Sequence, residues 1–110
     1  MLYIDAQNNI ELTKGDTLIL TATPKQNGST YEPQEGDTIR FACSIGYKGE
    51  PGYVLKIEKN VPTDTFTFTV PAAETEELEY LEYNYDVELT HNGAVYTYIS
   101  AKLKITGESK

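Results

Sequence analysis

Gly-Asp-Thr occurs twice in the chain, at residues 15–17 and 36–38, each time ahead of an apolar run: "LTKGDTLILTAT" from Leu12 to Thr23 and "PQEGDTIRFACS" from Pro33 to Ser44. If Asp16 and Asp37 met in one cleft, the two carboxylates would make a general acid–base pair. Other groups able to do chemistry are scarce. His91 is the sole histidine and Cys43 the sole cysteine, and a hydrolytic nucleophile with a histidine base would need the two to converge. Glu74, Glu76, Glu77 and Glu79 crowd one short segment, and calcium takes several hard carboxylate oxygens.

Position in the chain argues against each of these chemistries. Each Gly-Asp-Thr stands just before a strand, where glycine supplies the bend, aspartate bonds to nearby backbone amides and the β-branched threonine starts the strand. A dyad would require both turns at the same end of the fold, and a substrate cleft besides. The repeat therefore reads as turn chemistry used twice. Cys43 falls at a core position of its strand while His91 sits at a hairpin tip, so no triad is expected. A single cysteine permits neither an intrachain disulfide nor a cysteine zinc site, and it suits assembly in a reducing cytoplasm. No Asp-x-Asp-x-Asp-Gly loop is present, and the glutamate run reads as a solvated acidic turn. No catalytic residue, cofactor or metal is expected, hence a protein that is not an enzyme.

The elements that would position these residues are written in period-two alternation. In "YLEYNYDVELT", Leu81, Tyr83, Tyr85, Val87 and Leu89 share one parity, and Glu82, Asn84, Asp86 and Glu88 the other, the signature of a strand with one buried face. Ala94 to Thr106 repeats the pattern with Val95, Thr97, Ile99, Ala101, Leu103 and Ile105 on one side. Between the two strands stands "HNG". Asn-Gly usually makes a two-residue turn, which here would set Val95 and Ile99 against Thr90 and Asp86. A three-residue loop, His91 to Gly93 with Gly93 left-handed, instead pairs Leu89 with Val95, Val87 with Thr97, Tyr85 with Ile99, Leu81 with Leu103 and Glu82 with Lys102. That register puts apolar partners together and is the one expected.

Further strands are expected at Ile10 to Lys14, Asp16 to Thr23, Thr38 to Ile45, Tyr53 to Lys59 and Thr65 to Val70, with Ile39, Phe41, Cys43 and Ile45 buried. Pro24 to Gln34 and Gly46 to Gly52 read as loops. "PAAETEELEY" is the one helical candidate, with Pro71 suited to a first helical position and the glutamates to an N-terminal turn. About seven strands with one short helical turn, in a chain of 110 residues, point to a single domain over 1–110. Its expected fold is all-β, an immunoglobulin-like antiparallel β-sandwich.

Composition limits the partners. The chain's 9 Lys and Arg stand against 17 Asp and Glu, a net charge of −8, which repels phosphate backbones and removes nucleic acid. No apolar run approaches the ~20 residues of a membrane helix. The start, "MLYIDAQNNIELTKGD", has neither a basic nor an apolar leader region, so no membrane segment or secretion signal is expected. The unusual count is tyrosine, 9 against 3 phenylalanines and no tryptophan. Tyr83 and Tyr85 have core parity, and one of them is expected to bond back to the preceding connection as a tyrosine corner. Tyr96 and Tyr98 read as outward, opposite Glu88 and Asp86, and these four residues form an expected interaction face for protein or sugar. Tyr47 and Tyr53, around "GYKGEPGY", form a second candidate contact.

"IELTKGDTLIL", "GDTIRFACSI" and "YNYDVEL" followed by "HNGAVYTYISAKLKIT" resemble the small sandwich domain at the N-terminus of phage baseplate upper proteins and related tail proteins of Gram-positive phages and prophages. The resemblance spans nearly the whole chain. Its elements are the opening apolar-x-apolar-x-Lys-Gly-Asp-Thr, matched by Ile10 to Thr17, a Tyr-x-Tyr-Asp-Val strand, matched by Tyr83 to Val87, and a terminal alternating strand, matched by Ile99 to Ile105. "EYLEYNY" departs from the glycine expected before the tyrosine strand. The resemblance implies a noncatalytic virion protein, assembled in the bacterial cytoplasm, that partners other phage tail or baseplate proteins or associates with copies of itself. It implies a small tail accessory protein or an excised domain, since the chain stops after "ITGESK". The alternative is a bacterial surface or carbohydrate-binding sandwich using Tyr96 and Tyr98.

Gly93→Ala should destabilise the domain by about 1 kcal/mol, because a left-handed residue there disfavours any Cβ. Urea or thermal melting measures it, and an unchanged melt would deny the positive φ.

Overall fold

The computed structural model describes residues 1–23, 25–26, 28–46, 52–61, 66–79 and 82–107. Ten strands and one helical turn fall within them: β1 Leu2–Ile4, β2 Ile10–Thr13, β3 Leu18–Thr21, β4 Lys25–Gln26, β5 Ser29–Thr30, β6 Asp37–Ser44, β7 Tyr53–Val61, β8 Thr67–Val70, α1 Ala72–Thr75, β9 Glu82–His91 and β10 Ala94–Thr106. A six-stranded sheet runs in the order β1-β2-β10-β9-β6-β7, and β3-β8 and β4-β5 form two-stranded sheets. All pairs are antiparallel except β2 with β10, which is parallel. The protein is an all-β sandwich.

Alternation in the sequence becomes a two-layer core. Tyr83, Tyr85, Val87 and Leu89 of β9 are buried, while Asn84, Asp86 and Glu88 between them are half-buried on the other face. They pack with Ile39 and Phe41 of β6, Leu103 and Ile105 of β10, Leu18 and Leu20 of β3, and Phe68 and Val70 of β8. Each such apolar side chain contributes about 1.5–3 kcal/mol by leaving water. Cys43 lies in the same core, as its parity required.

The β9–β10 register differs from the expectation. Asn92 and Gly93 have φ of 49° and 80°, so they form the two-residue turn that Asn-Gly favours, pairing His91 with Ala94, Thr90 with Val95 and Leu89 with Tyr96. The register then shifts between Thr97 and Ile99, after which Ile99 pairs with Val87, Ala101 with Tyr85, Leu103 with Tyr83 and Lys104 with Glu82. Tyr98 is the extra residue of a β-bulge. Turn chemistry decides the tip and apolar burial decides the body of the hairpin. The expected three-residue loop assumed that one register must serve both. The partner expected for Leu103, Leu81, lies outside the described residues.

Other boundaries move by a few residues. Ile45 is 50% exposed rather than buried, because β6 ends at Ser44 after a register shift between Cys43 and Ser44. The segment expected to be a loop from Pro24 to Gln34 contains the short pair β4–β5, and β1 was not foreseen. Gly15 and Gly36 have φ of 86° and 90°, the bends expected of both Gly-Asp-Thr turns. Pro71 caps α1 from outside rather than occupying its first turn. Thr75 of α1 is fully buried, and its hydroxyl donates to the Asp16 carbonyl at 2.6 Å, pinning the helical turn to the β2–β3 connection.

Tyr83 makes the expected corner: its hydroxyl accepts from the Glu79 amide at 3.1 Å. Tyr85 reaches elsewhere, donating to the Asn8 carbonyl. Tyr83→Phe should therefore cost about 1 kcal/mol, the usual net value of one such bond. Urea unfolding of the variant against wild type checks the value, and no loss would mean that the corner adds nothing to stability.

Candidate functional site

The site begins at the second Gly-Asp-Thr. Gly36 turns the chain so that Asp37 opens β6 with its carboxylate only 1% exposed. The carboxylate accepts from the Gln34 amide at 2.9 Å and from the Tyr31 hydroxyl, and His91 Nδ1 lies 2.6 Å from its other oxygen. Sheet pairing brings His91 there, since Thr38 of β6 faces Thr90 of β9 and the next residue along β9 reaches back to Asp37. The Tyr31 ring meets the His91 ring edge-on, centroids 6.5 Å apart. Two separate stretches, residues 31–34 and the end of β9, are thus tied to one buried carboxylate.

Burial is the largest single influence on Asp37 and opposes its charge. Hydrogen bonds from Tyr31, the Gln34 amide and His91 together outweigh it and hold the carboxyl below its ordinary value. Burial, with the Asp37 hydrogen bond and charge, pushes the Tyr31 hydroxyl up to about 12, so Tyr31 stays a donor at neutral pH. An aspartate and a histidine in contact are half of a catalytic relay. A relay would add a nucleophile on the other ring nitrogen, where His91 Nε2 lies 3.1 Å from the Asn92 side-chain nitrogen. Burial pushes the Cys43 thiol up to about 12, which keeps it un-ionised in the core. The cluster is built as a latch between the Tyr31–Gln34 segment and the hairpin tip.

Asp16 has a different fate. Its turn follows β2, whose Thr13 pairs with Thr106, whereas Asp37 lies by the Ala94 end of β10. The two aspartates are separated by a strand of about 40 Å, so no dyad forms. Asp16 is partly exposed and its carboxylate contacts the Met1 amino group. Among the described residues no group of three or more His, Cys, Asp or Glu side chains is placed to hold a metal. Of the glutamates, Glu76 lies over Gly15.

Beside the latch the six-stranded sheet carries an open groove of about 920 Å³. Lys25, Tyr31, Gln34, His91, Tyr96 and Tyr98 are among its lining residues. Tyr96 is 51% exposed, while Tyr98 is partly buried against the core. Burial raises the Tyr98 hydroxyl, with a smaller push from Tyr96. Tyr31 lines the same groove, so the three phenols share it.

The expected interaction face is divided. Tyr96 pairs with Leu89, not Glu88, and so takes the inner side. Tyr98 is the bulge residue, not the partner of Asp86. Asp86 and Glu88 face the other way, each 2.9 Å from the Arg40 guanidinium, which lies 5.0 Å from the Tyr53 ring centroid. The structure therefore brings Tyr96 and Tyr98 together in the groove and Asp86 and Glu88 together on the outer face. A shift of register moves every side chain to the opposite face, and that is the reason for the split. Tyr47 lies outside the described residues. Sequence reading missed Tyr31, the buried role of Asp37 and its contact with His91. The available signal was a lone histidine ending one strand and Gly-Asp starting another.

No protein-family model matches the chain, and no curated protein matches it.

Asp37→Asn should destabilise the protein by about 2 kcal/mol at pH 7, since it weakens bonds to a buried charge. The Asp16→Asn change at the twin triplet should stay within about 0.5 kcal/mol. Because the native value of Asp37 lies below the ordinary 3.8, its contribution is complete above that pH and is lost as pH falls through the native value. Urea melts at pH 7 and pH 3 should show the Asp37→Asn deficit shrinking in acid. A deficit that persists at pH 3 would assign the effect to packing.

Proposed function

We propose that the chain is a noncatalytic structural protein of a phage or prophage tail or baseplate, a β-sandwich that docks other proteins of the particle. The observation that carries this reading is the groove beside the latch. Its tyrosines sit on strands and on a segment held by a buried carboxylate, so the surface is rigid before a partner arrives. Tyrosine suits such a role because it presents large amphipathic area with little rotamer freedom to lose. The Asp37–His91 contact belongs to the same design: its hydrogen bonds are spent on fixing the Tyr31 segment. The resemblance in "IELTKGDTLIL" and "YNYDVEL" supports the particle as the setting, with assembly in the bacterial cytoplasm and the virion as destination. Its partners are tail or baseplate proteins.

A second reading is a carbohydrate-binding module, favoured by the three phenols of the groove with Gln34 and Lys25 beside them. Aromatic rings stack on sugar faces, and the polar groups would select hydroxyls. A glycan array separates the two: specific sugar binding that disappears in Tyr96→Ser and Tyr98→Ser would favour the carbohydrate role.

The docking reading is tested by immunogold electron microscopy of phage particles induced from the strain that encodes the chain. Gold on tails or baseplates is the expected result. Unlabelled particles in a lysate that contains the protein would defeat the reading.

A further inference from the structure

We propose that the chain forms a two-fold dimer in which β7 pairs antiparallel with β7 of a second copy, centred on Ile57, so that two six-stranded sheets become one. β7 ends the sheet order, and among the described residues no strand pairs with its outer edge. It has nine residues, against three in β1 at the opposite edge. A long bare edge is a template for a further strand unless the side chains forbid it.

The side chains of β7 favour one partner and one register. Val54, Lys56, Glu58 and Asn60 are exposed on the outer face, while Leu55, Ile57 and Lys59 are half-buried on the inner face. In a two-fold antiparallel pair centred on Ile57, Lys56 faces Glu58 of the second copy and Glu58 faces its Lys56. Ile57 meets Ile57, and the register shift of β7 at Val54 falls outside this central run. Centring on Lys56 would instead set lysine against lysine, and centring on Glu58 would set glutamate against glutamate, arrangements that cross-strand neighbours disfavour. Centres between residues would place outer side chains opposite inner ones. The order Lys-Ile-Glu is therefore self-complementary about its middle residue, as a surface that meets itself across a two-fold axis must be.

Lys59 is the residue that could block this pairing, because an inward charge is a common guard on edge strands. Here it is occupied within its own copy: its ammonium donates to the Thr67 carbonyl and lies 5.5 Å from the Phe68 ring centroid. It faces Leu55 of the second copy with its charge already engaged.

Sedimentation velocity over a concentration series, up to about 1 mM, tests the proposal. Wild type should show a monomer–dimer equilibrium. Lys56→Glu and Glu58→Lys should each weaken it about tenfold or more, since each turns two attractive cross-strand pairs into two repulsive ones. The double variant Lys56→Glu/Glu58→Lys should dimerise like wild type, and an equimolar mixture of the two single variants should form a heterodimer. Thermal melts matching wild type confirm that each variant is folded, and the double variant serves if a single one is not. A wild type that stays monomeric, single reversals that leave the dimer unchanged, or a mixture that fails to associate would each overturn the proposal. None of these outcomes decides the tail role, because gold labelling of particles does not depend on self-association.

Discussion

Contact between Phe41 and the opposite layer is the constraint on which the fold depends. The Phe41 ring, on β6, lies 5.8 Å from Phe68 of β8 and 5.6 Å from Tyr85 of the adjacent β9, so one side chain joins both sheets and two neighbouring strands. Around it the inner residues of β9, β10 and β3 leave water together, and this burial is the dominant favourable contribution to folding. The two layers are unequal, with β3–β8 facing a sheet of six strands. The cover is incomplete beside the hairpin of β9 and β10, and the tyrosine groove occupies that place.

The groove also depends on a conflict inside that hairpin. Asn92-Gly93 prefers a two-residue turn, whose pairing would set Ile99 against Asp86, while burial requires Ile99 beside Val87. The bulge at Thr97 to Ile99 satisfies both. Its consequence is lateral: Tyr96 stays with the inner side, Tyr98 is the added residue, and both line one concavity with Tyr31. Bulges re-aim side chains at the edges of function, and here one bulge assembles the aromatic surface that the docking reading uses.

Two identical triplets show how little a motif decides without its surroundings. Gly15 and Gly36 adopt the same left-handed turn, yet Asp16 remains partly exposed at one end while Asp37 is sealed at the other beneath Tyr31 and His91. The difference comes from what the sheet order sets beside each turn. β6 lies next to β9, whose last residue is His91, whereas the β2–β3 turn meets the α1 turn through Thr75. A surface carboxylate contributes little, while a buried one with several donors organises its neighbourhood.

From the chain alone came the all-β class, the long strand from Ala94 to Thr106, the core parity of Val87, Phe41 and Cys43, the tyrosine corner and the bends at Gly15 and Gly36. Each of these is a local matter of period, side-chain shape or permitted φ. Tertiary structure alone decided that Ile45 is exposed, that Tyr96 turns inward, that Asp86 and Glu88 share Arg40, and that Tyr31, Asp37 and His91 meet. Those outcomes depend on strand order and pairing register, which bring Tyr31 and His91 together across 60 positions of the chain and are selected by the shared core, not by the residues they place.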